Sequence, residues 1–363
     1  MVTISRVSFE RKLGAMASVL SSTSRRYPLL GLVQDGHIRL WQDGDMPVWK
    51  TEEIDSDENF FFSVPTNILK DIVGGFKSTS VDLLSDGRGS LTVKSGRSRV
   101  SVPYMEGVYD EIPDPPSLEV SCTTSPQFLD FLSKSKDFVA KTFDQEGLIY
   151  TYIGSLDKQF LISGTNGFAA FTALVPYDGD DIPSVVVPSE FAVAAAKLLS
   201  STSDVCMGIS ENLGHVVLSN EDTTMYTPRV QKNYPDAIIK LAINEGISIF
   251  NMNRQDAVTQ LKLALQTTNQ DLVGLAPDTE GGGIRVTVPR ATIEADLVIE
   301  DAEIVKEFDI TYFQLPFLIQ GLSTLSSERI NVEILPDFKG SFRISSNDNT
   351  ATTTILPYLL TDA

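Results

Sequence analysis

The sequence predicts an α+β chain of three repeated domains, each with two helices packed on antiparallel sheets. Three observations predict it: a strand-rich composition, a repeat spaced by 123 residues, and an earlier helix candidate ahead of each repeat. The 363 residues exceed one ordinary core and suit two or three domains. A 42% hydrophobic content beside 21% charged residues is that of a folded chain. Val, Ile, Thr and Phe are plentiful, and turn residues break the apolar runs into strand-length pieces.

The repeat sets the order of the elements along the chain. VPTNILKDIVGGFKSTSVDLLSDGRGSLTVKSG begins at Val64, VPSEFAVAAAKLLSSTSDVCMGISENLGHVVLSN at Val187 and ITYFQLPFLIQGLSTLSSERINVEILPDFKGSFRISSN at Ile310. Each reads as a helix, a Ser/Thr-rich turn, a strand, a Gly- or Asn-bearing turn and a second strand. Ahead of them stand FERKLGAMASVL from Phe9, SPQFLDFLSKSKDFVAK from Ser125 and MNRQDAVTQLKLALQ from Met252. In the second of these, Phe128, Leu129, Phe131, Leu132 and Phe138 recur at helical spacing; in the third, Val258, Leu261, Leu263 and Leu265 do so in part. The Pro-rich stretch Glu111–Val120 and the segment Leu241–Ser248 read as linkers, giving domains at 1–119, 120–245 and 246–363.

Charge is distributed unevenly. The net charge of −19 argues against nucleic acid, because an acidic surface repels phosphates. The six helix candidates, however, hold ten basic residues against six acidic ones, a net of +4 that leaves −23 elsewhere. A chain with all helices on one side would have a basic helical face and an acidic strand face. Solvated helices rich in Lys and Arg would give the same count.

Reactive chemistry is absent by pattern. His37 and His215 have no ligand or triad partner at motif spacing. Gly281-Gly282-Gly283 lacks the Lys-Ser/Thr of a phosphate loop, and no nucleophile-elbow motif occurs. Asp178-Gly179-Asp180-Asp181 lacks the spacing and later Glu of a calcium loop. Neither a metal nor a cofactor is expected, nor an enzyme. No apolar run nears the roughly 20 residues of a membrane span, and the N-terminus lacks the basic flank and apolar core of a signal peptide. Cys122 and Cys206 are far apart and suggest no disulfide framework, so a reducing cytoplasm is the expected setting.

At Ser95-Gly96-Arg97-Ser98-Arg99, set in VDLLSDGRGSLTVKSGRSRVSVPYM, the chain resembles the bacterial sliding clamps, the β subunits of replicative DNA polymerase III. Further resemblances follow in the family's order. They are Arg26-Tyr27-Pro28-Leu29-Leu30-Gly31, Val64-Pro65 with Leu69 and Ile72, Ser163-Gly164-Thr165-Asn166-Gly167, Val186-Val187-Pro188, Tyr234-Pro235-Asp236 and Ile355-Leu356-Pro357. The family's basic residues after the second-domain glycine and after Tyr-Pro-Asp are missing: Phe168-Ala169-Ala170 and Ala237-Ile238-Ile239-Lys240 stand there.

The resemblance implies a non-catalytic, nucleoid-associated processivity factor in the cytoplasm. Two head-to-tail subunits would close a ring around duplex DNA, with helices inside and sheets outside. Arg25, Arg26, Lys77, Lys134, Lys141, Lys197 and Lys262 would meet phosphates without reading sequence. Val100 and Val102 would pack on Leu263, Leu265 and Gln266 of the partner subunit's third domain. Polymerase and clamp loader would insert a short apolar peptide at Leu148, Thr165, Gly167, Phe168, Ala169, Ala170, Pro235, Ile239, Lys240, Leu356, Pro357 and Tyr358. The competing readings are a non-catalytic assembly protein of three duplicated β-rich domains and an enzyme with a carboxylate site that leaves no motif.

Overall fold

A computed structural model describes residues 1–20, 27–87, 89–105, 111–141, 148–199, 203–211, 214–289 and 297–358. One order of elements runs through it three times. The first run is β1 (Val2–Ser5), α1 (Arg6–Ser18), β2 (Leu29–Gln34), β3 (His37–Gln42), β4 (Val48–Glu53), β5 (Phe60–Val64), α2 (Thr66–Gly75), β6 (Ser80–Ser85), β7 (Ser90–Ser95) and β8 (Ser98–Pro103). The second is β9 (Leu118–Thr124), α3 (Gln127–Ser135), β10 (Tyr150–Leu156), β11 (Gln159–Thr165), β12 (Ala169–Gly179), β13 (Val185–Pro188), α4 (Ser189–Leu198), β14 (Val205–Ser210), β15 (His215–Ser219) and β16 (Thr223–Pro228). After α5 (Asp236–Ile243), the third opens with β17 (Ile247–Asn253), α6 (Arg254–Thr268), β18 (Leu272–Pro277) and β19 (Ile284–Thr287). Its next strand is divided into β20 (Leu297–Ile299) and β21 (Ala302–Ile304). It closes with β22 (Thr311–Gln314), α7 (Leu315–Thr324), β23 (Arg329–Leu335), β24 (Ser341–Ser346) and β25 (Ala351–Ile355).

These elements form two compact units, 1–129 with 177–182 and 190–229, and 130–176 with 183–189 and 230–363. Each unit holds one long antiparallel sheet and one of four strands. In the first unit the long sheet runs β5-β2-β3-β4-β16-β15-β14-β9, and the short one β1-β6-β7-β8. The long sheet of the second unit runs β13-β10-β11-β12-β25-β24-β23-β17-β21, with β20-β19-β18-β22 as the short one. The helices cover these sheets with apolar stripes. Phe9, Leu13 and Met16 of α1 are buried, as are Leu69 and Val73 of α2, against which α1 packs. Leu261 and Ala264 of α6 and Leu318 and Leu322 of α7 are buried in the same way. Each such large side chain contributes about 2–3 kcal/mol of burial free energy.

The expected helices are present with shifted ends. Thr66 and Ser189, which begin α2 and α4, keep the 123-residue spacing. The third helix of that series begins later, at Leu315, because Pro316 fixes the start of α7 and Tyr312 belongs to β22. Helix α1 starts earlier than Phe9, at Arg6, where the Ser5 side chain accepts from the Ser8 amide as its N-cap. Helix α3 ends at Ser135 and gives way to a 3₁₀ turn at Lys136–Phe138, so Lys141 is outside any helix. Lys77 also lies beyond the end of α2. The segment Leu241–Ser248, read as a linker, instead contains the end of α5 and the start of β17. Among the described residues, no helix is long and apolar enough to cross a membrane, and no group of His, Cys, Asp and Glu could hold a metal ion.

Candidate functional site

An apolar surface in the second unit gathers most of the residues expected to form a peptide groove. Its centre is the Thr165–Ala169 turn between β11 and β12. Gly167 adopts φ +87°, which L side chains rarely do. Asn166 Oδ1 accepts from the amides of Phe168 and Ala169, both at 2.9 Å. Thr165 Oγ1 accepts from the Gly167 amide at 3.1 Å and donates to the Ala169 carbonyl at 2.9 Å. These bonds fix a tight turn with Phe168 at its tip, half exposed and stacked on Phe317 of α7 at 5.9 Å and 10°. A Cβ on Gly167 would lie 3.6 Å from Leu148 Cδ1, so Leu148 flanks the same turn.

The C-terminal strand lies alongside. β25 pairs with β12 from Ala169↔Ile355 to Ala173↔Ala351. The Leu356 amide then donates to the Phe168 carbonyl at 2.9 Å, and the Tyr358 amide to the Tyr312 carbonyl at 2.7 Å. Leu356 and Tyr358 are exposed. Helix α5 adds Ile238 and Ile239, which pack against the core of Tyr152, Leu161, Val186 and Tyr234. The Tyr234 hydroxyl lies 3.2 Å from Ser163 Oγ, and burial holds its phenol far above the ordinary range, so it stays neutral. Arg343 Nη1 donates to the Asn244 carbonyl at 2.6 Å while its Nε bonds Glu333 at 2.7 Å, tying the end of α5 to β23 and β24.

The structure divides the expected residues by depth. Thr165, Ala169 and Ala170 are buried as floor, with Ala170 in a cluster with Leu241 and Leu335. Gly167, Phe168, Pro235, Lys240, Leu356 and Tyr358 are exposed, and Leu148, Ile239 and Pro357 are half-buried. Pro357 and Tyr358 also line a second cleft of about 620 Å³ with Ile249, Phe308, Tyr312, Ile334 and Lys339. Phe317 and Ile238 were missed by sequence reasoning. Ile238 stood one place from a motif position, whereas the stacking of Phe317 joins residues about 150 apart and leaves no local signal.

The basic candidates are less uniform than counting implied. Lys77, Lys141, Lys197 and Lys262 are exposed. Lys134 is ion-paired with Asp130 at 2.9 Å on its own helix, which reduces its field toward a ligand. Arg6 pairs with Glu10, and Lys70 with Asp71. Lys12 is buried among carboxylates and cannot reach a phosphate outside. Arg25 and Arg26 lie outside the described residues.

Among the described residues, β8 is an edge strand of the short sheet in the first unit and β20 an edge strand of the short sheet in the second. Val100 on β8 is 40% exposed, but Val102 is 4% exposed and faces the core of its own sheet opposite Leu91. Leu263 and Gln266 are exposed on α6, off the buried stripe of Val258, Leu261 and Ala264, and Leu265 is half-buried.

No family model and no curated protein matches the chain. Solved structures do. A DNA polymerase sliding clamp from Pseudomonas aeruginosa is 18% identical with a TM-score of 0.81, covering 99% of both chains. The DNA polymerase III β subunit of Thermotoga maritima is 15% identical with a TM-score of 0.82 over 99% of both chains. A P. aeruginosa clamp bound to griselimycin is 17% identical, at 0.82 over 99% of both chains.

Proposed function

We propose that this chain, which has the fold of the bacterial sliding clamps, is itself a DNA sliding clamp that encircles duplex DNA and tethers a polymerase. The observation that carries the reading is agreement of fold over 99% of the chain at TM-scores near 0.8, rather than over one domain. Sequence motifs in the same order and the thrice-repeated element order support it. Domains at 1–119, 120–245 and 246–363 are part of the proposal. The protein acts by topology, not by catalysis. A closed ring needs only weak, sequence-independent phosphate contacts, and these let it slide.

In this reading two subunits join head to tail in a cytoplasmic homodimer, and the open edge of β8 meets the partner subunit near its β20 and α6. Val100 is the contact residue; Val102 supports the strand from behind. Lys77, Lys141, Lys197 and Lys262, together with Arg25 and Arg26, supply positive charge to DNA. The apolar surface around Phe168, Leu148, Ile239 and Leu356 takes a short linear peptide from the polymerase or the clamp loader. Phe168 and Phe317 offer a rigid aromatic wall, as hot-spot pockets do. With Ala169 and Ile239 where the family carries basic residues, the preferred peptide is more apolar and less reliant on charge pairing.

Sedimentation at micromolar concentration tests the ring. The expected mass is twice 39.7 kDa; a monomer or trimer contradicts the proposed closure. Joint reversal of Lys77, Lys141 and Lys262 to Glu tests the DNA face. Each lost phosphate contact should lower the salt slope of DNA retention by about 0.9, and an unchanged slope would place DNA elsewhere.

A further inference from the structure

The first unit contains a cavity whose buried lysines the clamp reading does not use. It measures about 470 Å³, within the range of small-molecule pockets, about 300–1,000 Å³. Helix α1 gives it Arg11 and Lys12, β4 gives Lys50, α4 gives Lys197, and the β15–β16 turn gives Glu221 and Asp222. Two of these cations are buried, Lys50 at 4% and Lys12 at 7% exposed. Burying a charge is costly unless it is paired, and the two lysines are treated differently. Lys12 lies 3.3 Å from Asp222 and 3.6 Å from Glu52, and donates to the Thr51 carbonyl at 3.0 Å. Lys50 donates to two neutral oxygens, Thr223 Oγ1 at 2.6 Å and the Leu198 carbonyl at 3.2 Å. The Thr223 hydroxyl in turn donates to Asp222.

This arrangement makes an amine that sheds its proton readily. Burial lowers Lys50 from 10.5 to about 8; the Asp222 charge opposes the shift, and Lys12 and Arg11 add to it. A desolvated lysine beside other cations is the usual form of a nucleophilic amine. Arg11 and Lys197, exposed at the cavity's edge, draw anions toward it, whereas the charge of Lys12 is met by Asp222 and Glu52. Nucleophile and anion site therefore coincide.

We propose that Lys50 is a modification site: the cavity takes up small acyl phosphates, and the Lys50 amine accepts their acyl group. The neutral amine attacks the carbonyl carbon and a C–N bond forms. The bond from that carbon to the phosphoryl oxygen breaks, and phosphate leaves with the electron pair, held by Arg11. The proton released from nitrogen goes to solvent. The product is an N-acyl lysine with one N–H, where the attacking neutral amine has two and the ammonium, before it gives its first proton to solvent, has three, so one of its two present hydrogen bonds is lost. Lys50 pairs with Thr223 where β4 meets β16, so the change falls on the seam joining strands of the first and second runs. The proposal is independent of the clamp reading, because it needs only this cavity.

The test uses the full chain with limiting acetyl phosphate between pH 6.5 and 9.5, followed by peptide mapping of the acetylated lysines. Lys50 should react at least tenfold faster than the exposed Lys77 and Lys262. Its rate should level off above about pH 8, whereas theirs should continue to climb. Millimolar inorganic phosphate should slow Lys50 alone. Arg11→Gln should lower the Lys50 rate several-fold with acetyl phosphate, yet leave it within twofold with neutral p-nitrophenyl acetate. Reaction at Lys50 no faster than at Lys262, or only in denaturant, would overturn the proposal. So would equal loss with both reagents in Arg11→Gln.

Discussion

Gly167 carries the conformational demand of the groove. Its φ of +87° is strained for any L side chain, while the space around it would admit a methyl. Gly167→Ala should therefore cost about 1–2 kcal/mol of stability through the backbone alone. It should also tilt Phe168 off Phe317. Thermal denaturation and peptide titration check both effects, and an unchanged affinity would detach the turn from the groove. Phe168→Ala, by contrast, removes only an exposed ring. It should leave stability within about 0.5 kcal/mol while weakening an apolar peptide on the order of tenfold, about 1.4 kcal/mol. Lys50 makes a prediction of a different kind. Its folded pKa, about 8, is below its ordinary 10.5. Between those values the unfolded chain binds more protons, so stability rises with pH. Denaturant titrations at pH 7 and pH 10 should show this rise, on the order of 2–3 kcal/mol, in the wild type but not in Lys50→Met. Equal pH slopes in the two proteins would contradict the burial of this amine. Gly167 and Phe168 were legible in the sequence as groove positions; the setting of Lys50 was not. A buried lysine looks like an exposed one until β4, α1 and the β15–β16 turn are brought together.

At the scale of elements, helices whose apolar residues recur at regular spacing were readable and their ends were not. The buried stripe of α3, with Phe128, Phe131 and Leu132, was plain in the sequence. Helix α5 was not, because eight residues after a proline resemble a turn, and its stability comes from elsewhere. Arg343 supplies part of it by bonding the Leu241 and Asn244 carbonyls and Glu333. Arg343→Ala should cost roughly 2–3 kcal/mol, since charge-assisted bonds among half-buried groups are lost together. Amide exchange in α5 should rise with it. The C-terminal strand gives a cleaner separation of groove from fold. Removing residues from Leu356 onward leaves β25 in its sheet but takes away the bonds to Phe168 and Tyr312. Peptide binding should vanish while the mass in solution stays that of a dimer; a truncated protein that binds unchanged would move the site. At the open edge of β8, Val100→Asp is the discriminating substitution. It should dissociate a dimer without unfolding the unit, whereas Val102→Asp would place a carboxylate in the core.

The whole molecule was legible through its repetition. A spacing of 123 residues survives in the starts of α2 and α4 and is disturbed in α7 only by Pro316. Charge was the weaker guide. In the observed helices nine basic residues stand against six acidic ones, a net of +3, and several of the basic ones are spent on neighbouring carboxylates. A net charge of −19 weakens affinity for DNA, so lasting retention at physiological salt is assigned to topology. That is the central claim, and topology is what must be measured. The protein is loaded onto a nicked circular duplex, free protein is removed by gel filtration at physiological salt, and the circle is then cut once. The account predicts that protein travels with the intact circle and is lost within minutes of linearisation. Retention that survives the cut would show binding by affinity, and would contradict a ring around DNA.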